Sequence, residues 1–241
     1  MKNILKLLFA ISFISLSSCF YYGDHSGVDC VEGNRTIITD EFDLPNFSGI
    51  ILNIDANIKL KQGDKQSVEV EGQENILDIL QLKVRNHILD IDFDECVNHD
   101  DINIFITIPD IDFLSIHGSG NIVGQNVFDI KDIELKISGS GDMDLGIEAN
   151  DVVGKISGSG TMKLDGDMDF LNFKISGSGD LEAFDLKSID ANIKITGSGD
   201  IEVYAKDNLD VSISGSGDVY YKGHPKLDIS ITGSGKVVDA N

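Results

Sequence analysis

The sequence predicts an all-β fold, a parallel β-solenoid (β-helix) of about seven coils in which each coil is one copy of a repeat. Gly-Ser-Gly occurs seven times, beginning at residues 118, 139, 158, 177, 197, 215 and 233, so the repeat is about 19 residues long. Ile, Leu and Val dominate the apolar residues, Trp is absent, and the chain holds 25 glycines but only 3 prolines. This composition is typical of many short strands joined by tight corners.

Apolar and polar residues alternate on both sides of each Gly-Ser-Gly copy. Ile133, Leu135 and Ile137 precede the copy at 139–141, Met143 follows it, and polar residues stand between them. A period of two is typical of a strand with one buried and one exposed face. A single repeat cannot bury its apolar side alone, but repeats stacked ~4.8 Å apart close a continuous core. We therefore expect one repeat per coil over residues 117–241.

The remaining segments have different patterns. Residues 46–116 also alternate but lack the repeat, and they predict an N-terminal β-region that caps the solenoid and shields its first edge. Residues 19–45 show no sustained pattern and are interpreted as a tether and entry segment. At the far end, we expect "KGHPK" at 222–226 and the charges of Lys236 and Asp239 to prevent another strand from pairing with the last edge of the sheet.

The alternation continues through the motif itself, since Ile137, Gly139, Gly141 and Met143 share one parity. The favoured arrangement puts both glycines inside, where the wall leaves no room for a Cβ, and the serines outside. The alternative puts a glycine at positive φ, which turns the serine into the interior. The favoured arrangement predicts a candidate binding face of outward columns, formed by Ser138, Ser140, Asp142, Ser157, Ser159, Ser176, Ser178, Asp180, Thr196, Ser198, Asp200, Ser214, Ser216 and Asp218.

The acidic residues raise the question of a calcium site. Thr161 and Lys236 interrupt the column of acids that follows the motif, so we expect those acids to accept backbone N–H groups instead. "DIDFDECVNHDD" at 90–101 resembles a calcium loop, but Glu95 stands where the loop needs glycine and Asp101 where it needs glutamate. The histidines lack ligand spacing. We expect no metal and no cofactor.

The N-terminus is typical of an exported protein. The chain has two lysines near its start, Lys2 and Lys6, and an apolar run from Ile4 to Leu16. This run is too short to span a bilayer of ~30 Å, which predicts a secretory signal over 1–18. Leu16-Ser17-Ser18-Cys19 resembles a lipobox and predicts lipid attachment at Cys19. An ordinary cleaved leader that leaves Cys19 free is the alternative. Cys30 and Cys96 are candidates for a disulfide, but the sequence does not fix the distance between them.

The charge limits the partners. A net charge of −22 repels nucleic acid and anionic lipid surfaces, and the sequence contains no run of Lys and Arg that would reverse this. Divalent cations, cationic partners and neutral glycans remain open.

No motif indicates catalysis. The chain has no nucleophile elbow, no HExxH and no phosphate loop. Solenoid enzymes that act on acidic polysaccharides are the serious rival, but they need a cleft, and the connectors here are short. The sequence therefore predicts a protein that is not an enzyme.

A lipobox leader, an N-terminal strand region and coils of the form I-[ST]-G-S-G-[DN] resemble the head GIN domain family of auto-transporter adhesins, over Phe47 to Val238. The resemblance implies an outer-membrane lipoprotein of the Gram-negative cell envelope with a β-solenoid-like domain. We expect a non-enzymatic, lipid-anchored protein whose flat repeat face binds a surface glycan or protein. A structural periplasmic lipoprotein without a specific external ligand is the alternative, and a polysaccharide-active enzyme is a third and less favoured hypothesis.

Overall fold

Parallel strands stacked in register make up most of the structure, a computed structural model that describes residues 30–241. The predicted signal segment, most of the predicted tether and the lipid-attachment residue Cys19 lie outside the described residues. Within residues 30–241, no helix is long and apolar enough to cross a membrane.

The helix α1 (Glu74–Leu77) falls in "ENILDIL", the patch where helical spacing occurs. The strands are β1 (Val31–Glu32), β2 (Ile37–Phe42), β3 (Gly49–Leu52), β4 (Asn57–Gln62), β5 (Ser67–Gln73), β6 (Leu80–Arg85), β7 (Ile88–Phe93), β8 (Val97–Asn98), β9 (Asn103–Ile108), β10 (Phe113–Gly118), β11 (Asn121–Gly124), β12 (Phe128–Asp129), β13 (Asp132–Gly139), β14 (Asp142–Gly158), β15 (Thr161–Gly177), β16 (Asp180–Gly197), β17 (Ile201–Gly215), β18 (Val219–Lys222), β19 (Lys226–Gly233) and β20 (Val237–Asp239).

Each coil has three sides. Face A is the parallel ladder β7-β3-β10-β13-β14-β15-β16-β17-β19, to which the long strands contribute the parts that precede a Gly-Ser-Gly corner. Face B is the ladder β9-β4-β11-β14-β15-β16-β17-β18-β20, built from the parts that follow the corner. A third side, formed by β12 and the middle parts of the long strands, returns the chain to face A. The predicted β-solenoid of about seven coils is confirmed.

The N-terminal region does not stack in chain order. β7 and β9 follow β3 and β4 in the sequence, yet they lie on the outer side of these strands in both ladders. Beyond them, β6 pairs with β7 and β5 pairs with β9, both in the antiparallel sense. β2 in turn pairs antiparallel with β5. β10 spans residues 116 and 117 and joins the two predicted regions, because it pairs with β3 on one side and with β13 of the repeat coils on the other.

A column of stacked isoleucines forms much of the core behind face A. Its members pair in register and are at most 2% exposed: Ile116, Ile137, Ile156, Ile175, Ile195 and Ile213. Burying each side chain of this size contributes roughly 1.5–3 kcal/mol.

The last coil is less covered. Leu227, Ile229 and Ile231 on β19 are 38%, 42% and 40% exposed, because no further coil lies over them. Lys226 and Lys236 are exposed at the same end, so charged and apolar side chains both line the last edge.

A disulfide ties the entry segment to the N-terminal region. The Cys30 and Cys96 sulfur atoms are bonded, with a Cα–Cα distance of 4.7 Å. Directly after the two cysteines, β1 pairs with β8. The bond closes a loop across a sequence separation of 66 residues, which contains the outermost strands of the N-terminal end.

Reduction of this disulfide should lower the free energy of unfolding by on the order of 2 kcal/mol, because the unfolded chain regains the freedom that the loop removes. Urea unfolding followed by circular dichroism, with and without dithiothreitol, measures the effect. A Cys30→Ser, Cys96→Ser double variant serves as the control and should not respond to the reductant. An equal response of wild type and double variant would contradict the prediction.

Candidate binding face

The Gly-Ser-Gly corners combine features of both arrangements considered from the sequence. The first glycine has a positive φ, +145° at Gly139 and +136° at Gly177. Its carbonyl accepts a hydrogen bond from the backbone N–H of the serine one coil further on, as between Ser178 N and Gly158 O at 2.9 Å. The second glycine is buried, and a Cβ on Gly179 would collide with the carbonyl oxygen of Gly160. The serines nevertheless stay outside, so the positive φ of the alternative does not turn them inward.

The serines form two columns at the edge of face A. Five residues that precede the first glycine form one column, namely Ser138, Ser157, Ser176, Thr196 and Ser214. Five residues at the tip of the corner form the other, namely Ser140, Ser159, Ser178, Ser198 and Ser216. All are exposed or half-buried, and within residues 30–241 their hydroxyls make no hydrogen bond. These hydroxyls are available to a partner at one coil rise of ~4.8 Å.

The acids of the predicted face have a structural task. Asp142, Asp180, Asp200 and Asp218 lie on face B, and the Oδ1 atom of each accepts a backbone N–H from an adjacent coil. The donors are Thr161, Asp200, Asp218 and Lys236, at 2.7–2.8 Å. Where the column is interrupted by threonine, Asp180 N donates to the Gly160 carbonyl instead, at 3.1 Å. These carboxylates join successive coils, as the sequence interpretation of backbone bonding required.

Asp200→Ala should lower the free energy of unfolding by about 1–2 kcal/mol, since the Asp218 N–H loses a charged acceptor. Asp200→Asn keeps an acceptor oxygen and removes the repulsion from the neighbouring carboxylates, so it should recover most of the loss. Urea unfolding of both variants measures the difference. Equal destabilisation by Ala and Asn would show that the hydrogen bond is not the cause.

Face A also carries a column that the sequence analysis missed. Lys136, Lys155, Lys174 and Lys194 pair in register on consecutive strands, one column away from the serines. The sequence contains no run of Lys and Arg, but stacking brings together lysines that are a full repeat apart in the sequence. We call this set the lysine ladder.

The surroundings of the lysine ladder differ along its length. The Lys136 ammonium contacts Glu134 Oε1 at 2.7 Å and lies 5.0 Å from the centre of the Phe113 ring. Lys155, Lys174 and Lys194 are exposed and form no ion pair with another described residue. The flanking positions in these three coils are uncharged: Val153, Asn172 and Asn192 on one side, Ser157, Ser176 and Thr196 on the other.

A chain of hydrogen bonds lies at the N-terminal end of face A. Ser115 Oγ is 3.1 Å from His117 Nε2, and His117 Nδ1 is 2.9 Å from Asn53 Oδ1. Asn53 Nδ2 donates to Asp90 Oδ1 at 2.6 Å. The order resembles that of an activated serine, but Ser115 is only 1% exposed and offers no surface to a substrate. We assign these four residues a structural role.

The third side is not flat, although the short connectors predicted a wall without a cleft. A shallow groove of about 670 Å³ crosses it, with Asp129, Glu148, Asp167, Lys187 and Lys206 at its charged rim. The register of the ladders shifts on this side of the solenoid, between β15 and β16 and between β16 and β17. Register shifts of this kind leave no signal in a regular repeat.

The two faces have different electrostatics. Glu202 lies on face B beside Glu182, and partial burial together with that neighbouring carboxylate raises the pKa of Glu202.

The acids at 90–101 contact separate partners and do not converge on one point. Asp92 accepts the N–H of Phe93, and Asp94 lies 3.4 Å from Lys83. Among residues 30–241, no group of three or more His, Cys, Asp and Glu side chains is placed to hold a metal ion.

Solved structures of similar proteins share this architecture. An adhesin described as putative, from Bacteroides fragilis, is 25% identical, with a TM-score of 0.82 over 86% of this chain and 99% of that one. A "Putative lipid binding protein" from Parabacteroides distasonis is also 25% identical, with a TM-score of 0.75 over 87% and 99%. A third, an adhesin described in the same terms from Parabacteroides merdae, is 21% identical and shows the fold alone, with a TM-score of 0.71 over 88% and 100%.

Family membership follows from the sequence as a whole. A comparison with curated proteins gave no match. The family model described as "Putative auto-transporter adhesin, head GIN domain" matches residues 46–225, which is most of the chain. The chain therefore belongs to this family, as the resemblance of its repeats predicted.

Proposed function

We propose that the protein is a non-enzymatic, lipid-anchored cell-envelope protein that binds a surface glycan or protein through face A. The observation that carries the proposal is the pair of serine columns, whose hydroxyls are exposed, unbonded among the described residues, and spaced by one strand. A partner with a repeating structure makes the same weak contact at each coil, so affinity builds by avidity without a deep pocket.

The rigidity of the face supports this proposal. Backbone hydrogen bonds and the Asp142-to-Asp218 column fix the spacing of the coils, so the hydroxyls are held in place before a partner arrives. Pre-ordered contacts cost less conformational entropy on binding than contacts made by flexible loops.

The location belongs to the same proposal. Membership of an adhesin-type family supports a cell-surface or envelope protein. The lipobox at Leu16–Cys19 is the reason to propose a lipid anchor on Cys19 and an outer-membrane position. Metabolic labelling with radioactive palmitate tests the anchor: wild type should incorporate label, and Cys19→Ala should not. Equal labelling, or none in wild type, would contradict it.

Binding by face A is tested with a triple variant, Ser157→Glu, Ser176→Glu and Thr196→Glu. Purified protein is applied to a panel of immobilised glycans and to intact bacterial cells, and the bound amount is measured by fluorescence. Three carboxylates in place of the column hydroxyls should reduce binding at least about tenfold. The partner loses its contacts with these hydroxyls and meets longer, charged side chains instead.

A matched control carries the same change in charge away from face A: Gln125→Glu, Asn150→Glu and His224→Glu, all at exposed positions. This control should bind like wild type. Equal loss in both triples would show that bulk charge, and not face A, decides binding. Absence of binding by wild type would favour the structural periplasmic lipoprotein.

A further inference from the structure

We propose that Lys155, Lys174 and Lys194 form a binding site for an acidic polysaccharide, a linear chain of sugars with carboxylate or sulfate groups that lies along the solenoid axis. This inference rests on the proposed function, because it names the chemical class of the partner that face A takes. It starts from three exposed ammonium groups that have no carboxylate partner among the described residues, in a chain with a net charge of −22.

The ladder is unfavourable without a partner. Like charges on directly opposite residues of neighbouring strands destabilise a sheet. At the strand spacing of ~4.8 Å, two unit positive charges repel by roughly 1 kcal/mol in water. Lys174 has a lysine as its register partner on both neighbouring strands. An acidic polymer placed along the column removes this repulsion and replaces it with attraction.

The groups beside the ladder suit a sugar chain. Asn172 and Asn192 offer amide donors and acceptors on one side, while Ser157, Ser176 and Thr196 offer hydroxyls on the other. Sugar hydroxyls need such donors and acceptors in addition to the charge contact. From Lys155 to Lys194 the ladder covers two coil steps, or ~10 Å, which is the scale of a short stretch of an extended polymer.

The shape of the charge distribution favours a narrow polymer. Asp151 and Asp190 lie on the same strands as Lys155 and Lys194, two columns from the ladder. A flat anionic membrane would meet these carboxylates together with the lysines, whereas a single chain follows the lysine column alone. Single-stranded nucleic acid is disfavoured because its bases stack on aromatic rings, and the outward-facing positions directly beside the three lysines hold no aromatic residue.

The test is binding of the mature full-length protein to immobilised polygalacturonate and dextran sulfate, with neutral dextran for comparison. Three charge contacts predict that affinity falls on the order of tenfold between 50 and 200 mM salt. Lys155→Gln, Lys174→Gln, Lys194→Gln should reduce binding at least about tenfold at low salt and remove most of the salt dependence. The corresponding Lys→Arg triple should bind like wild type.

The control triple is Lys131→Gln, Lys163→Gln and Lys206→Gln, which changes the net charge equally at exposed positions outside face A. It should retain binding. Circular dichroism should show an unfolding midpoint close to that of wild type for the control and Arg triples, and an equal or higher midpoint for the ladder Lys→Gln triple, which loses the repulsion between its lysines. Equal losses in the ladder and control triples would overturn the inference. Binding to single-stranded DNA or anionic vesicles but not to the acidic polysaccharides would also overturn it.

Failure of this inference is distinguishable from failure of the proposed function. Binding of neutral glycans that depends on the serine column, without binding of acidic polysaccharides, would overturn the lysine site and leave face A as a binding surface. Absence of any glycan or cell binding would overturn both.

Discussion

Gly177→Ala should lower the free energy of unfolding by about 3–5 kcal/mol, one of the two largest effects that we expect from a single substitution. Gly177 has a φ of +136°, which residues with a Cβ rarely adopt. A Cβ at this position would also collide with the carbonyl oxygen of Gly158 in the preceding coil. The neighbour is backbone within a continuous ladder, so it cannot rotate away as a side chain would.

Urea unfolding followed by circular dichroism measures this effect, and Ser178→Ala is the matched control. Ser178 is the next residue, exposed and with a hydroxyl that bonds to no described group, so its loss should change stability by less than about 0.5 kcal/mol. A Gly177→Ala variant as stable as the control would show that the corner relaxes and that glycine is not required there.

Phe173→Ala should cost about 3–5 kcal/mol, because it removes a large and fully buried ring from the core behind face A. The surrounding residues cannot move in to fill the cavity that the ring leaves, because the ladders fix their positions. Its register partner one coil earlier is Gly154, which has no side chain. A Cβ on Gly154 would collide with the Phe173 ring, so the glycine makes room for the phenylalanine.

This pairing gives a second variant that keeps the prediction testable. Gly154→Ala alone should destabilise the protein through the clash. The double variant Gly154→Ala, Phe173→Leu should lose less free energy of unfolding than the two single variants lose together. Calorimetric unfolding of the single and double variants measures the coupling. Strict additivity would mean that Gly154 and Phe173 do not share one space.

The sequence predicts the solenoid well because the repeat and the period of two are both local signals. Ile137 and Ile156 lie inside and Ser138 and Ser157 outside, as their parity requires. The order of the first coils was not predictable in the same way. Whether β7 stacks before or after β3 depends on long-range pairing, which the alternation within each strand does not encode.

The binding face was only partly predictable. The outward position of the serines follows from the alternation. The positive φ of Gly139 leaves this alternation intact, so the sequence pattern carries no sign of that backbone conformation. The lysine ladder did leave a signal, since Lys155 and Lys174 each stand two residues before a column serine. That signal is spread over positions one repeat apart and forms no run of basic residues along the chain.

The central claim, that face A meets a partner outside the cell, is tested most directly by labelling Ser176→Cys on intact cells with a membrane-impermeant maleimide. Asn150→Cys on the third side is the matched control, since the two positions lie at the surface of neighbouring coils. We expect both cysteines to react on intact cells, and an added glycan that binds the protein should protect Cys at 176 but not at 150. Labelling that requires a permeabilised outer membrane, or equal protection of both positions, would contradict the account.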